Sequence, residues 1–160
     1  MRSEAQGVAA LRAALRAHGG TISAVLGDGP PREQGPGSPG PAQLAASGPR
    51  AAGHEREYEL LIEMIYEGSL LHYGSPRVVR TEDPELALLL GDQLYALGLR
   101  TLAELGDLHA VAELADVISL VAQANAAQDP KLARAAWKAG ALSVGWGASD
   151  GRLDVDDRLP

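Results

Sequence analysis

Charged side chains at helical spacing are the part of this sequence in which chemistry is possible. Glu55, Glu59, Glu63 and Glu67 recur at every fourth position, so a helix through them would carry these carboxylates on one face. Such a face could bind a cation or an arginine-bearing partner. Because like charges at this spacing repel one another and are stabilised by water, we predict a solvated acidic face.

Three further side chains have both a chemical and a structural interpretation. His72 shares a helical face with Ile65, which favours a packed or capping histidine over a functional one. Asp92 lies among leucines, where an ionised carboxylate needs a partner, and Arg100 and Lys138 are the candidates. Lys138 could hold a diphosphate group as a point charge, although a solvated surface lysine is the default interpretation.

The composition limits the class of protein. The 160 residues suffice for one domain with a core. Apolar residues make up 46% of the chain, but aromatic residues only 4%, and Phe is absent. Leu, Ala and Val therefore dominate, which favours helices packed on helices. The net charge of −7 argues against nucleic acid as a partner. Without cysteine, disulfides and thiol chemistry are excluded.

Targeting and membrane segments are not indicated. The N-terminal residues lack the unbroken apolar stretch of a secretory signal. The longest aliphatic run, LALLL at 86–90, is far shorter than the roughly 20 residues that span a bilayer. We therefore predict a soluble, cytoplasmic protein without a transmembrane segment.

Apolar periodicity divides the chain into four parts. Residues 1–26 are predicted to form an arm with an amphipathic helix at 4–18. Residues 27–53 hold seven of the 19 glycines and six of the 10 prolines, which predicts a disordered linker. A helical domain covers 54–148, and 149–160 form a polar tail. The helices of the domain are predicted at 55–73, 84–104, 108–127 and 130–145. Short loops between them favour an all-α, antiparallel helical bundle.

Residues 62–72, IEMIYEGSLLH, resemble the helix that leads into the first aspartate-rich motif of the trans-isoprenyl (polyprenyl) diphosphate synthases. Glu63 and His72 match that pattern, and further matches keep their order along 58–148, a little over half of the chain. These further matches are Gly91, Asp92, Leu94, Ala96, Gln123, Lys138 and Leu142. The resemblance implies part of the isoprenoid synthase fold.

The resemblance breaks down at the metal site. The family binds its diphosphate substrate through magnesium ions, which two clusters of aspartates hold. Where the first cluster should begin, this chain has Tyr73 and Gly74, and Arg77 stands four residues after Tyr73. None of these side chains can hold magnesium, so His72, Tyr73 and Gly74 form a degenerate motif. Pro76 then predicts the end of the helix.

The resemblance therefore implies no catalytic residue, no metal ligand and no cofactor, with magnesium only where diphosphate binding is retained. No second aspartate cluster follows on a helix, because Asp154 and its neighbours Asp156 and Asp157 lie in the polar tail. Of the family's cationic ligands, Arg77, Arg80 and Lys138 remain as candidates for binding a diphosphate.

The helix predicted at 84–104 indicates a partner. It has leucines nearly all round, which is expected for a helix that is buried on both sides. Four helices of this length cannot cover it alone, and a large exposed apolar surface is rare in monomers. Two glycines in one helix also suggest a tight helix crossing. In the family resembled, the helices that follow the first aspartate-rich helix form the dimer interface, which corresponds here to residues 84–127. The residues assigned to it are Gly91, Asp92, Leu94, Tyr95 and Gly98.

Three functions remain open at this point. The first is a non-catalytic isoprenyl-synthase-like subunit that pairs with itself or with a complete polyprenyl synthase and modulates it. The second is an enzyme with altered chemistry on isoprenoid diphosphates. The third is an unrelated helical adaptor or scaffold. A homodimer or a heteromer is expected in each case.

Overall fold

A computed structural model of the chain describes residues 1–28 and 37–147. Within these ranges the chain forms seven α-helices and one 3-10 turn, and its only β-type pairing is a bridge between Leu26 and Val79. The helices are α1 Glu4–His18, α2 Gly20–Ala24, α3 Pro41–Ala46, α4 Glu55–Tyr73, α5 Pro84–Leu105, α6 Leu108–Ala126 and α7 Pro130–Trp146. The predicted all-α helical bundle is confirmed. The predicted polar tail, with Asp154, Asp156 and Asp157, lies outside the described residues.

Side-chain caps set the beginnings of the three C-terminal helices. Asp83, Asp107 and Asp129 accept hydrogen bonds from backbone N–H groups in the first turns of α5, α6 and α7. Pro84 and Pro130 occupy first-turn positions of α5 and α7, where proline loses no helical hydrogen bond. These local signals explain why the predicted bounds of these helices lie close to the observed ones.

The described part of the predicted linker is packed structure. Ala42 and Ala45 of α3 and Ala51 of the following 3-10 turn Pro49–Ala51 are completely buried. The prediction of disorder over 27–53 is therefore wrong for residues 37–53. Pro41 and Pro49 begin the two helical segments, so these prolines start helices here. Residues 29–36 lie outside the described residues.

The helix α4 lies between two apolar clusters of the described chain. The larger cluster joins Leu61 and Ile65 of α4 to residues of α3, α5, α6 and α7. The smaller cluster packs Val8, Leu11 and Leu15 of α1 against residues of α2, α5 and the segment between α4 and α5. These three side chains are completely buried, and burial of each contributes roughly 1.5–3 kcal/mol. The helix α1 is thus part of the bundle and does not form a separate arm.

Glycines allow α4 and α5 to cross closely. A Cβ atom on Gly91 would lie 3.0 Å from the carbonyl oxygen of Gly68, and one on Gly98 would lie 2.8 Å from that of Leu61. The contact at Gly98 is closer than real Cβ atoms show, and at Gly91 the ring of His72 would also have to shift, so glycine at these positions lets the two helices approach closely. The tight helix crossing predicted from these glycines is present, and its partner is α4 of the same chain.

Candidate functional site

The acidic ladder of α4 is buried, contrary to the prediction of a solvated face. Glu59, Glu63 and Glu67 are 3%, 0% and 0% exposed, and only Glu55 faces solvent. The sequence prediction failed because it placed no counterion opposite this face. The structure brings two arginines of the same chain to it, Arg2 and Arg77.

Arg77 is the centre of a buried ion-pair cluster. Its Nη1 atom lies 2.7 Å from Glu63 Oε2 and 3.2 Å from Glu4 Oε1, and its Nε atom lies 3.2 Å from Glu67 Oε1. Arg2 forms a second pair, with Nε 2.9 Å from Glu59 Oε1. The assignment of Arg77 as a diphosphate ligand is therefore wrong, because three carboxyl groups of the chain already occupy its guanidinium.

Glu67 fixes the segment that follows the degenerate motif. Its Oε2 atom accepts hydrogen bonds from the backbone N–H groups of Val78 and Val79 at 2.7 and 3.0 Å. Its Oε1 atom accepts from the backbone N–H and from Nε of Arg77 at 3.0 and 3.2 Å. One carboxylate thus satisfies four donors, three of them from consecutive residues of the backbone.

Burial and neighbouring charges shift the pKa values of Glu63 and Arg77 in opposite directions. Burial raises the pKa of the Glu63 carboxyl above its ordinary value, although the guanidinium of Arg77 opposes this shift. Burial alone would lower the pKa of Arg77, but the carboxylates of Glu63, Glu67 and Glu4 raise it. Three acids therefore surround one cation that stays charged, and burial favours the neutral form of Glu63.

The side chain of Gln43 connects this cluster to α3. Its Nε2 atom donates to Glu63 Oε1 at 2.9 Å and to Glu59 Oε2 at 3.4 Å, while its Oε1 atom accepts from the N–H of Gly40 at 2.8 Å. Every polar atom of this buried amide thus has a partner. The sequence offered no signal for Gln43, since its partners lie on another helix.

An apolar groove of about 490 Å³ lies between α3, α4, α6 and α7. This volume is in the range of small-molecule sites. Tyr66 and Trp137 form part of its wall and pack edge to face, with ring centroids 5.0 Å apart. None of the described residues that line it is acidic. Its charged residues are Arg134 and Lys138 of α7.

Arg134 and Lys138 are exposed and make no ion pair within residues 1–28 and 37–147. Tyr73 and Gly74 of the degenerate motif also line the groove. The groove can therefore accommodate a ligand with an apolar body and an anionic group.

The remaining cationic candidate lies elsewhere. Arg80 is exposed, and its Nη1 atom donates to the carbonyl oxygen of Pro76 at 3.3 Å. Its side chain packs against Gly27 and does not line the groove. Of the predicted diphosphate ligands, only Lys138 is at the groove.

His72 belongs to the contact between α4 and α5. Its ring stacks on Tyr95 with centroids 5.3 Å apart, and its Nε2 atom lies 2.9 Å from Asp92 Oδ1. The structural interpretation of His72 thus agrees with its position. The partner of Asp92 is His72, where Arg100 or Lys138 was predicted.

Most of the predicted interface is occupied by the chain itself. Gly91, Leu94 and Gly98 are buried in the bundle, which leaves them no surface for a partner. The assignment of these residues to an intermolecular interface is wrong for this reason. Asp92 is exposed and Tyr95 is partly exposed, so only these two could reach another chain.

The outer face of α5 nevertheless exposes large apolar side chains. Leu88 and Leu89 are 46% and 66% exposed, and Leu108 at the start of α6 is 77% exposed. The leucines of α5 lie nearly all around the helix, but within the described chain other elements cover only one side of it. Exposed apolar side chains mark a contact surface where they form a contiguous patch.

No family model, no curated protein and no solved structure matches the chain. Within the described ranges, no group of three or more His, Asp or Glu side chains is arranged to hold a metal ion. The same ranges contain no helix with the length and hydropathy that a bilayer span requires.

Proposed function

We propose that the protein is a non-catalytic, isoprenyl-synthase-like subunit of the cytoplasm that holds an isoprenoid diphosphate and acts beside a second copy of itself or a complete polyprenyl synthase. One observation carries this proposal. The groove combines apolar walls with Arg134 and Lys138, while Tyr73 and Gly74 stand where the enzymes that residues 62–72 resemble have aspartates.

The lining assigns different parts of the ligand to different residues. Tyr66, Leu70 and Trp137 offer aromatic and aliphatic surface to the hydrocarbon chain. Arg134 offers a planar pair of donors to a phosphate, and Lys138 offers a point charge. Because the described lining has no carboxylate to hold magnesium, we expect binding without the metal and without cleavage of the diphosphate.

Calorimetric titration with farnesyl diphosphate tests the proposal, with magnesium and with a chelator in parallel. Lys138→Ala should weaken binding about tenfold, the equivalent of roughly 1.4 kcal/mol. Lys131→Ala, which removes an exposed cation of the same helix away from the groove, should leave the affinity unchanged. Equal affinities for all three chains, or binding only with magnesium, would contradict the proposal.

The exposed leucines of α5 support the association part of the proposal, and they equally favour the alternative of an unrelated helical adaptor. Light scattering coupled to size exclusion should show a complex of the chain with itself or with a polyprenyl synthase. Leu88→Gln combined with Leu89→Gln should dissociate it, whereas Ala13→Gln on the exposed side of α1 should not. Association without any binding of farnesyl diphosphate would favour the adaptor.

A further inference from the structure

No residue of α1 lines the groove. The helix is connected to the groove indirectly, through the buried cluster around Arg77. Its first contact is Glu4, whose carboxylate pairs with Arg77 at 3.2 Å. Its second contact is Gly7, where a Cβ atom would overlap the amide of Gln43 and lie 2.8 Å from Glu63 Oε1. The helix α1 therefore rests directly on two side chains of the cluster, and Gly7 makes the close approach possible.

One connection from α1 to the groove passes through α3. Gln43 is held by Glu59 and Glu63 on one side and by the N–H of Gly40 on the other. The neighbouring residues Pro41 and Leu44 of α3 line the groove. A shift of Gln43 therefore moves a wall of the groove.

A second connection passes through Arg77 and Tyr66. The guanidinium carbon of Arg77 lies 4.6 Å from the centroid of the Tyr66 ring, a cation–π distance. Tyr66 in turn packs against Trp137, and both rings line the groove. Glu4 of α1 is one of the carboxylates that hold Arg77 in this position.

From these two connections we infer that α1 positions the walls of the groove: its contacts with the cluster hold α3 and Tyr66 in the arrangement that the ligand requires. The inference rests on the groove being the ligand site proposed above. Because coupling between two sites is reciprocal, a ligand in the groove must also stabilise the docked state of α1. The positioning residues are Glu4, Gly7, Gln43, Glu63 and Arg77.

The test uses two variants of α1 that lie outside the groove. Gly7→Ala adds the methyl group that Gln43 leaves no room for, and Glu4→Gln removes the charge that faces Arg77 while it keeps the shape. Ala13→Gln, on the exposed side of α1, is the control. The probe is anilinonaphthalene sulfonate, which combines aromatic rings with an anionic sulfonate, and circular dichroism verifies that each variant stays folded.

Both α1 variants should bind the probe about tenfold more weakly than the wild-type chain, within the usual range of couplings between sites, and the control should bind like wild type. Saturating probe should in turn slow tryptic cleavage within α1 of the wild-type chain. Should Lys138→Ala weaken binding while Gly7→Ala and Glu4→Gln leave it unchanged, the coupling is refuted and the groove site stands.

A readout without ligand separates the two proposals. Trp146→Phe leaves Trp137 as the single tryptophan of the chain, and this side chain is 6% exposed. In that background, Gly7→Ala and Glu4→Gln should increase the quenching of Trp137 by acrylamide about threefold. If the wild-type chain binds no probe, the groove site is refuted. The coupling between α1 and the groove walls is then decided by the quenching of Trp137 alone, and unchanged quenching in both variants refutes it.

Discussion

Two isosteric substitutions on α4, Glu67→Gln and Glu63→Gln, should have very different effects on stability. Both carboxyl groups are completely buried, and both lie beside Arg77. Glu67 satisfies four donors, three of them backbone N–H groups, whereas burial raises the pKa of Glu63 and favours its neutral form. The first substitution thus leaves backbone donors without an acceptor, whereas the second removes a carboxylate that burial disfavours.

The magnitudes follow from the number of donors. The amide that replaces the Glu67 carboxylate keeps one acceptor oxygen, so its NH₂ group faces two of the four donors, and each unsatisfied buried donor costs about 1–3 kcal/mol. Removal of one partner from a buried ion pair costs about 3–5 kcal/mol in total. We therefore expect Glu67→Gln to lower the free energy of unfolding by about 3–5 kcal/mol. Glu63→Gln should cost less than Glu67→Gln, because the new amide oxygen can still accept from Gln43 and two carboxylates remain beside Arg77.

Urea denaturation followed by circular dichroism measures both values, and an unchanged dependence on urea would show that the two states are the same in each variant. A loss of about 4 kcal/mol is a large part of the roughly 5–15 kcal/mol typical of a domain, so Glu67→Gln should have a much lower midpoint. Equal losses for the two variants would refute the reasoning that the number of buried donors sets the cost.

Three further predictions concern pH, packing and the contact between α6 and α7. The raised pKa of Glu63 gives a stability contribution that is complete below the ordinary pKa of 4.5 and is lost as the pH rises through the raised pKa. Urea titrations from about pH 4 to 8 should therefore show that Glu63→Gln gains stability relative to wild type as the pH rises. Parallel curves of unfolding free energy against pH would contradict this prediction. Gly98→Ala should lower the free energy of unfolding by about 1–3 kcal/mol, because the new Cβ atom would lie 2.5 Å from Ile65 Cγ1. A gain in thermal stability would instead show that α4 and α5 can move apart to accommodate the methyl group. Arg50 donates at 2.8 Å both to Asp107 and to the carbonyl oxygen of Val144 near the end of α7. Because a single ammonium group cannot span both acceptors, Arg50→Lys should lower the stability measured by thermal denaturation by about 1 kcal/mol. An unchanged stability would mean that these contacts are dispensable.

The helices were predictable because their signals are local. Asp83, Asp107 and Asp129 mark helix starts through hydrogen bonds to N–H groups two or three residues away. Apolar spacing likewise identified the buried face of α4 that includes Ile65. The glycine spacing on α5 predicted a tight crossing, but it could not distinguish a second chain from α4 of the same chain.

The buried charges were not predictable because their partners are distant in sequence. Arg2 is 57 residues from Glu59, and Glu4 is 73 residues from Arg77. A helix with carboxylates at every fourth position looks solvated until these cations are brought to it by the fold. The groove was not predicted from the sequence for the same reason, since residues from four separate helices line it.

Position 77 is where the proposed relationship to the synthases and the stability of the fold meet. On the proposed relationship to the synthases, an acid of the first metal cluster would stand there, four residues after Tyr73. In this chain Arg77 is the cation against which three carboxyl groups are buried, and an acid at this position would remove that cation and add a further carboxyl group to a buried site. The arginine that stands where the proposed relationship would place a metal ligand thus allows the acidic ladder of α4 to be buried. An acid at this position should therefore destabilise the bundle.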